Sequence, residues 1–275
     1  MNSSNHIFLR NKYYLFILVI LSILWQTFFC LGSTDDTESL FRTKMIVCRD
    51  TDYQTNAYLY SSEQEGPAVM IMAGVHGDEL AGIEAAKKFM KNIKLEKGTV
   101  VIIPEANKEA IDHGVRAISP EEDLNRNYPG DLTSEGIKRL AGEIFEILKN
   151  NEIDFLLDLH ESVEYYHKNS AFYGQTIVLD DNENHFLNRI AGYLVYKLNS
   201  SVVSPKDMFD VIVKPIAGSS TYEALNHLEI CGITFETCNK LDYIKRVDFH
   251  RQCIENVLAY FDMINLQVEA EVETD

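Results

Sequence analysis

The sequence predicts an α/β domain built on a mixed, mostly parallel sheet with helices on both faces, preceded by an N-terminal hydrophobic segment. Two observations carry this. Short continuous apolar runs at 68–73 (AVMIMA), 99–104 (TVVIIP) and 154–159 (DFLLDL) have the length expected of strands buried on both faces. Longer stretches with apolar positions three or four apart alternate with them, as in sheets whose strands are joined by crossover helices.

In chain order, the first strand at 68–73 is followed by a helix over 80–93 and a second strand at 99–104. A loop rich in charge and proline runs from 105 to 132. A helix follows over 134–149, with a Ser or Thr cap at its start. The third strand, 154–159, precedes a short candidate strand at 176–179 and a helix over 184–198. A shorter helix over 222–228, a strand at 232–237 (GITFET) and an amphipathic terminal helix over 244–263 complete the pattern. These elements set the domain at 45–265, after a polar linker at 33–44 and before an acidic tail at 266–275.

The N-terminus is of another kind. Arg10 and Lys12 precede an apolar run over 13–32 interrupted only by Ser22, Gln26 and Thr27, long enough to span a bilayer. With the positive charges first, the remainder is expected outside the cytoplasm, either on an uncleaved membrane anchor or after removal of a signal peptide. The domain is therefore expected to be extracytoplasmic, with the membrane as a partner only through this segment.

The 275 residues suffice for one sizeable core, and 46% hydrophobic residues argue against a disordered chain. A net charge of -17 repels phosphate backbones, which excludes nucleic acid as a natural partner. The five cysteines show no metal-ligand spacing. Cys231 and Cys238 flank one strand, ~23 Å apart at ~3.3 Å per residue, too far for a disulfide. Cys48 and Cys253 could pair only if the fold brings them together.

The polar residues that matter fall at strand ends, where sheets of this class place their sites. The strand at 68–73 runs into Gly74-Val75-His76-Gly77-Asp78-Glu79. His76 and Glu79, three apart at a loop-to-helix turn, can converge on one point, and the two glycines let the backbone turn sharply. The third strand ends in Asp158-Leu159-His160, which offers a second imidazole. Two histidines and a carboxylate leave a fourth coordination position open, the pattern of a catalytic rather than a structural zinc site. The loop after 99–104 carries Arg116 and the run Asp123-Leu124-Asn125-Arg126-Asn127-Tyr128-Pro129-Gly130. An arginine with an adjacent amide can grip a carboxylate, and a second arginine can stabilise an oxyanion. Glu236 stands among apolar neighbours in the strand at 232–237. A carboxyl there is costly unless paired or functional, and desolvation suits it to be a base.

On these four motifs, GVHGDE at 74–79, DLNRNYPG at 123–130, DLH at 158–160 and FET at 235–237, the chain resembles the zinc carboxypeptidase superfamily. Within it, the resemblance is to the succinylglutamate desuccinylase/aspartoacylase branch, and it covers about residues 66–238. The resemblance implies one zinc ion per chain held by His76, Glu79 and His160. It implies a substrate carboxylate held by Asn125 and Arg126, an oxyanion stabilised by Arg116, and Glu236 as general base and then general acid. Asp123 would hydrogen-bond His76 and fix its tautomer, and Tyr222 is a candidate for a mobile substrate-binding phenol.

The implied activity is hydrolysis of an amide bond near a substrate carboxylate, as in a deacylase. The β-rich cap that usually follows the glutamate in that branch has no counterpart in the 39 residues after Glu236, most of which read as one helix. With the exported position, this raises an extracytoplasmic metallocarboxypeptidase acting on peptides or cell-wall stem peptides as an alternative. A non-catalytic carboxylate-binding module is the alternative from another class.

Overall fold

The structure is a computed structural model that describes residues 40–181 and 183–266. The segment 1–32, read as a signal peptide or anchor, and most of the acidic tail lie outside the described residues. Among those described, no helix is long and apolar enough to cross a membrane.

Eight strands form one sheet: β1 Phe41–Val47, β2 Thr55–Ser61, β3 Ala68–Ala73, β4 Thr99–Ile103, β5 Phe155–Ser162, β6 Thr176–Leu179, β7 Asp210–Val213 and β8 Cys231–Cys238. Their order across the sheet is β1-β2-β4-β3-β5-β8-β6-β7. The centre, β4-β3-β5-β8, is parallel throughout, and β6 and β7 are parallel to each other. β1-β2, β2-β4 and β6-β8 pair antiparallel. The sheet is mixed and parallel where it is most buried, as the apolar runs predict. Every residue of β5 is buried, and five of six in β3.

The helices are α1 Leu80–Lys91, α2 Lys108–His113, α3 Gly136–Asn150, α4 His185–Asn199, α5 Ser220–Leu228 and α6 Tyr243–Tyr260. They divide between the faces according to strand alternation. Val69, Ile71 and Ala73 of β3, with Phe155, Leu157 and Leu159 of β5 and Ile233 and Phe235 of β8, face a core that includes α1, α4 and α6. Met70, Met72, Val101, Ile103 and Leu156 face the other core, closed by α3 and α5. Each of these side chains except Ala73, removed from water, contributes about 1.5–3 kcal/mol before entropy is set against it.

Several elements differ from the sequence expectation. The stretch read as a linker contains the start of β1, at Phe41. β1, β2 and β7 were not expected from the apolar runs. β2 alternates between buried and half-buried positions, and three of the four β7 residues are exposed. Helix α3 begins at Gly136 with Glu135 at its N-cap and no side-chain cap, not at a capping hydroxyl. Thr133 and Ser134 instead donate their hydroxyls to Asp131, closing a local turn that competes with capping. Cys48, Cys231, Cys238 and Cys253 are free.

Candidate metal centre

The site lies at the carboxyl end of β3, β5 and β8, on the face covered by α3 and α5. The chain leaves β3 through Gly74, whose φ of +71° suits glycine, and reaches His76. Gly77 serves for space: a Cβ there would lie 2.1 Å from the backbone of Ala110. The loop is therefore pressed onto α2, with Gly77 N–H donating to the Val115 carbonyl at 3.0 Å. Glu79 stands at the N-cap of α1 but makes no side-chain cap bond. Glu161 of β5 takes that role, accepting from Ala81 N–H at 2.9 Å, while its other oxygen pairs with Arg246 of α6. Glu79 is thus free to turn its carboxylate into the site.

His76, Glu79 and His160 are buried, and their ligand atoms lie within 4.8 Å of one another. One Glu79 oxygen is 2.7 Å from His76 Nδ1 and the other 2.9 Å from His160 Nδ1. The two Nδ1 atoms are 3.1 Å apart. Their lone pairs repel at that distance unless a proton or a cation lies among them. Each ring turns its other nitrogen outward to a carboxylate: His76 Nε2 to Asp123 at 3.3 Å and His160 Nε2 to Asp158 at 3.2 Å. The second contact lies off the line a hydrogen bond needs, and His160 Nε2 has no aligned partner. Two inward imidazole nitrogens and a carboxylate, backed by outward carboxylates, form a donor set that suits a divalent cation of the zinc type.

The electrostatics agree. Burial opposes charge on the two rings, but the surrounding carboxylates outweigh it and raise both, His160 most strongly through Asp158 and Glu79. Glu79 is held below the usual carboxylate range despite burial, because both imidazoles face it. The site is a negative cavity that seeks positive charge.

Around it stand the other residues singled out from the sequence. Asp123 accepts from Arg116 Nε and Nη2 at 3.2 and 3.0 Å with one oxygen and from Asn125 N–H at 3.0 Å with the other. Arg116 is thereby aimed at the cluster, its Nη1 3.3 Å from His76 Nδ1 and 3.7 Å from Glu79. Glu236 sits opposite His160 across the β5–β8 pairing. Burial pushes its carboxyl up to about 7, with the neighbouring His160 pulling the other way and Glu79 adding to the rise. Its Oε2 and Asn125 Oδ1 are buried with no partner among the described residues, and both residues line one recess.

Arg126 is exposed and folds back onto the Asn125 carbonyl at 2.5 Å. Tyr222 lies in the first turn of α5, its N–H 3.3 Å from the Ser219 cap, and is not among the residues lining the recess; Tyr173 is. Three residues near the site were not singled out from the sequence. Asp158 is fully buried and accepts from Ser220 as well as facing His160. Glu161 caps α1, and Asp180 lines the recess. Asp158 carried the same signal as Glu236, a lone carboxylate inside an apolar strand.

Residues 65–259 match the succinylglutamate desuccinylase/aspartoacylase catalytic domain family. The chain is 36% identical over 100 residues to an N-alpha-acetyl-L-2,4-diaminobutyric acid deacetylase of Halomonas elongata, covering 35% of this chain and 29% of that protein. It is 26% identical over 140 residues to an aspartoacylase of Danio rerio, covering 48% and 43% respectively. The matched stretches thus span less than half of either relative. Among solved structures, the mDAP-bound form of Helicobacter pylori Csd4, a D,L-carboxypeptidase, shares the fold with a TM-score of 0.65 at 22% identity, covering 72% of this chain and 52% of that one.

Proposed function

The chain belongs to the succinylglutamate desuccinylase/aspartoacylase family, and from that premise we propose that it is a zinc-dependent hydrolase cleaving an amide bond next to a substrate carboxylate. The observation that carries this reading is the convergence of His76, Glu79 and His160 from two strand ends, with buried Glu236 on the adjoining strand. His76 Nδ1, Glu79 and His160 Nδ1 would hold the metal. When bound, zinc supplies a Lewis acid that polarises a carbonyl and makes water more acidic.

The protein's own groups do the rest. Glu236, with a carboxyl near neutrality, accepts a proton from the attacking water and returns it to the leaving nitrogen as the C–N bond breaks. Arg116, clamped by Asp123, presents Nη1 to the negative charge that develops on the carbonyl oxygen. Asn125, which lines the recess, binds and orients the substrate beside Glu236, and Arg126, exposed next to it, joins it on turning away from the Asn125 carbonyl. Deacylation is the reading favoured by the two deacylase relatives. The fold shared with a D,L-carboxypeptidase supports trimming of peptide C-termini as the second reading.

The test is the zinc-loaded full chain with a panel of N-acyl amino acids and short peptides, products read by mass. Release of a free acid and an amino acid is the expected result. Glu236→Gln should lower turnover by about 10²–10⁴-fold. Full activity in that variant would refute the mechanism.

A further inference from the structure

The sheet ends at β7, which has β6 on one side and no strand among the described residues on the other. Its parallel register with β6 decides which backbone groups are free. Asp210 N–H donates to the Gln175 carbonyl and Lys214 N–H to the Leu179 carbonyl, so residues 210, 212 and 214 turn their backbone groups toward β6. Alternation then turns the N–H and C=O of Val211 and Val213 to the open edge. This free stretch is closed at both ends. The Asn199 side chain engages both backbone groups of Phe209, at 2.8 and 3.0 Å, and Pro215 has no N–H to offer.

An open edge is ordinarily blunted by charges that repel a second strand. β1, at the other edge, is of that kind, with Arg42 and Lys44 and no acid. Paired antiparallel with itself about Thr43, it would set Arg42 against Lys44, like charges directly opposite. β7 has the reverse arrangement. It reads Asp210-Val211-Ile212-Val213 with Lys214 next, an acid and a base equally far from Ile212. Val211 and Val213 are exposed, as are Val203 and Met208 before them.

We infer that β7 is an interface for a second copy of this chain, two β7 strands pairing antiparallel about a two-fold axis at Ile212 and joining two sheets into one. In this register Val211 of each copy faces Val213 of the other and exchanges both N–H···O bonds with it, through the groups that already point outward. Asp210 of each copy faces Lys214 of the other at a non-hydrogen-bonded position, where Cα atoms come within ~4.5 Å and side chains are closest. Lys214 Nζ donates to the Ser170 carbonyl at 2.9 Å and keeps protons for this second acceptor. Neighbouring registers fail. Centring on Val211 calls on the backbone of Phe209, already bonded to Asn199, and centring on Val213 calls on the missing N–H of Pro215. Neither brings the opposite charges together. The interface does not depend on the amide-hydrolase reading, although Lys214 also lines the recess that holds Glu236.

Charge exchange tests it. The full chain is followed by sedimentation velocity in a non-ionic detergent, which suppresses association through other apolar surface. Wild type should be a dimer. Asp210→Lys puts cations opposite each other and Lys214→Asp puts anions opposite each other, so either variant alone should raise the dimer dissociation constant about 10–100-fold. An equimolar mixture of the two variants restores both attractions and should dimerise as wild type does. A monomeric wild type, a single variant that dimerises as tightly as wild type, or a mixture no tighter than its components overturns the inference. Should a charge variant fail to fold, Ile212→Cys carries the test. Its thiols would meet on the two-fold axis at a Cα separation a disulfide spans, so oxidation should give a dimer linked through position 212, identified by peptide mass. Absence of that link overturns the inference equally.

Discussion

His250 should make the metal-free protein sensitive to mild acid. It lies on α6, fully buried, with Nε2 3.1 Å from Thr237 Oγ1 and no partner for Nδ1 among the described residues. The ring stands edge-on to Phe235, centroids 5.2 Å apart. Burial lowers its pKa from 6.5 to about 3; Glu79 acts in the opposite sense, and His160 and Arg246 add to the fall. The unfolded chain therefore takes up this proton near pH 6.5 while the folded chain does not. The stability it confers is complete above pH 6.5 and is lost as pH falls toward 3, at ~1.4 kcal/mol per pH unit. Between pH 7 and pH 5 the loss is ~2 kcal/mol, a large fraction of a typical folding free energy.

The perturbation is His250→Gln, which retains an amide to meet Thr237 but has no proton to gain in this range. Urea unfolding with chelator present, at pH 7, 6 and 5, isolates the effect from metal binding. Wild type should lose ~2 kcal/mol more than the variant between pH 7 and pH 5, whatever the variant's stability at pH 7. Parallel pH dependences for the two proteins would refute the reasoning and show that the folded state accommodates a charged His250.

Two further outcomes concern the metal site. Asp158→Asn should lower zinc affinity by about 10–100-fold, because the buried Asp158 charge stands 3.2 Å from His160 Nε2 and makes that ring a better donor to a cation; competition with a chromophoric chelator measures it, and an unchanged affinity would remove Asp158 from that role. Gly77→Ala would force a Cβ against the Ala110 backbone between His76 and Glu79, the two proposed ligands that flank it. It should cost about 1–3 kcal/mol in urea unfolding and lower zinc stoichiometry together, and retention of both would mean that the loop has slack the packing does not show.

Legibility in the sequence followed burial. β3, β4 and β5 are the sheet's interior, where both faces demand apolar side chains, so their runs are continuous and any polar residue at their ends stands out. That is how His76, Glu79, His160 and Glu236 could be picked from the sequence alone. β1, β2 and β7 lie toward the sheet edges with at least one face in water or half-covered, and the composition there carries no such contrast. The start of α3 was misplaced for a local reason: Asp131 draws in both hydroxyls that looked like caps.

The residues that escaped the sequence reading share one property: their roles are set by partners far along the chain. Glu161 looks like an ordinary neighbour of His160 until Ala81, eighty residues earlier, is seen donating to it and Arg246 of α6 pairing with it. That arrangement is why Glu79 can turn to the two imidazoles at all. A glutamate at a helix N-terminus would otherwise be drawn to the free N–H groups of its own helix. With Glu161 accepting from Ala81 N–H in that first turn, Glu79 is left to the imidazoles, and the backbone N–H of Glu161 itself donates to Glu79 at 2.8 Å. One residue thus caps the helix and steadies Glu79; burial raises the Glu161 carboxyl, while Ala81 N–H and Arg246 pull it back toward the charged form. Asp180 escaped for the same reason. In sequence it is the first of two adjacent aspartates after a short strand, a pattern that reads as a turn. Only the antiparallel register of β6 against β8 puts it on the same face as Glu236.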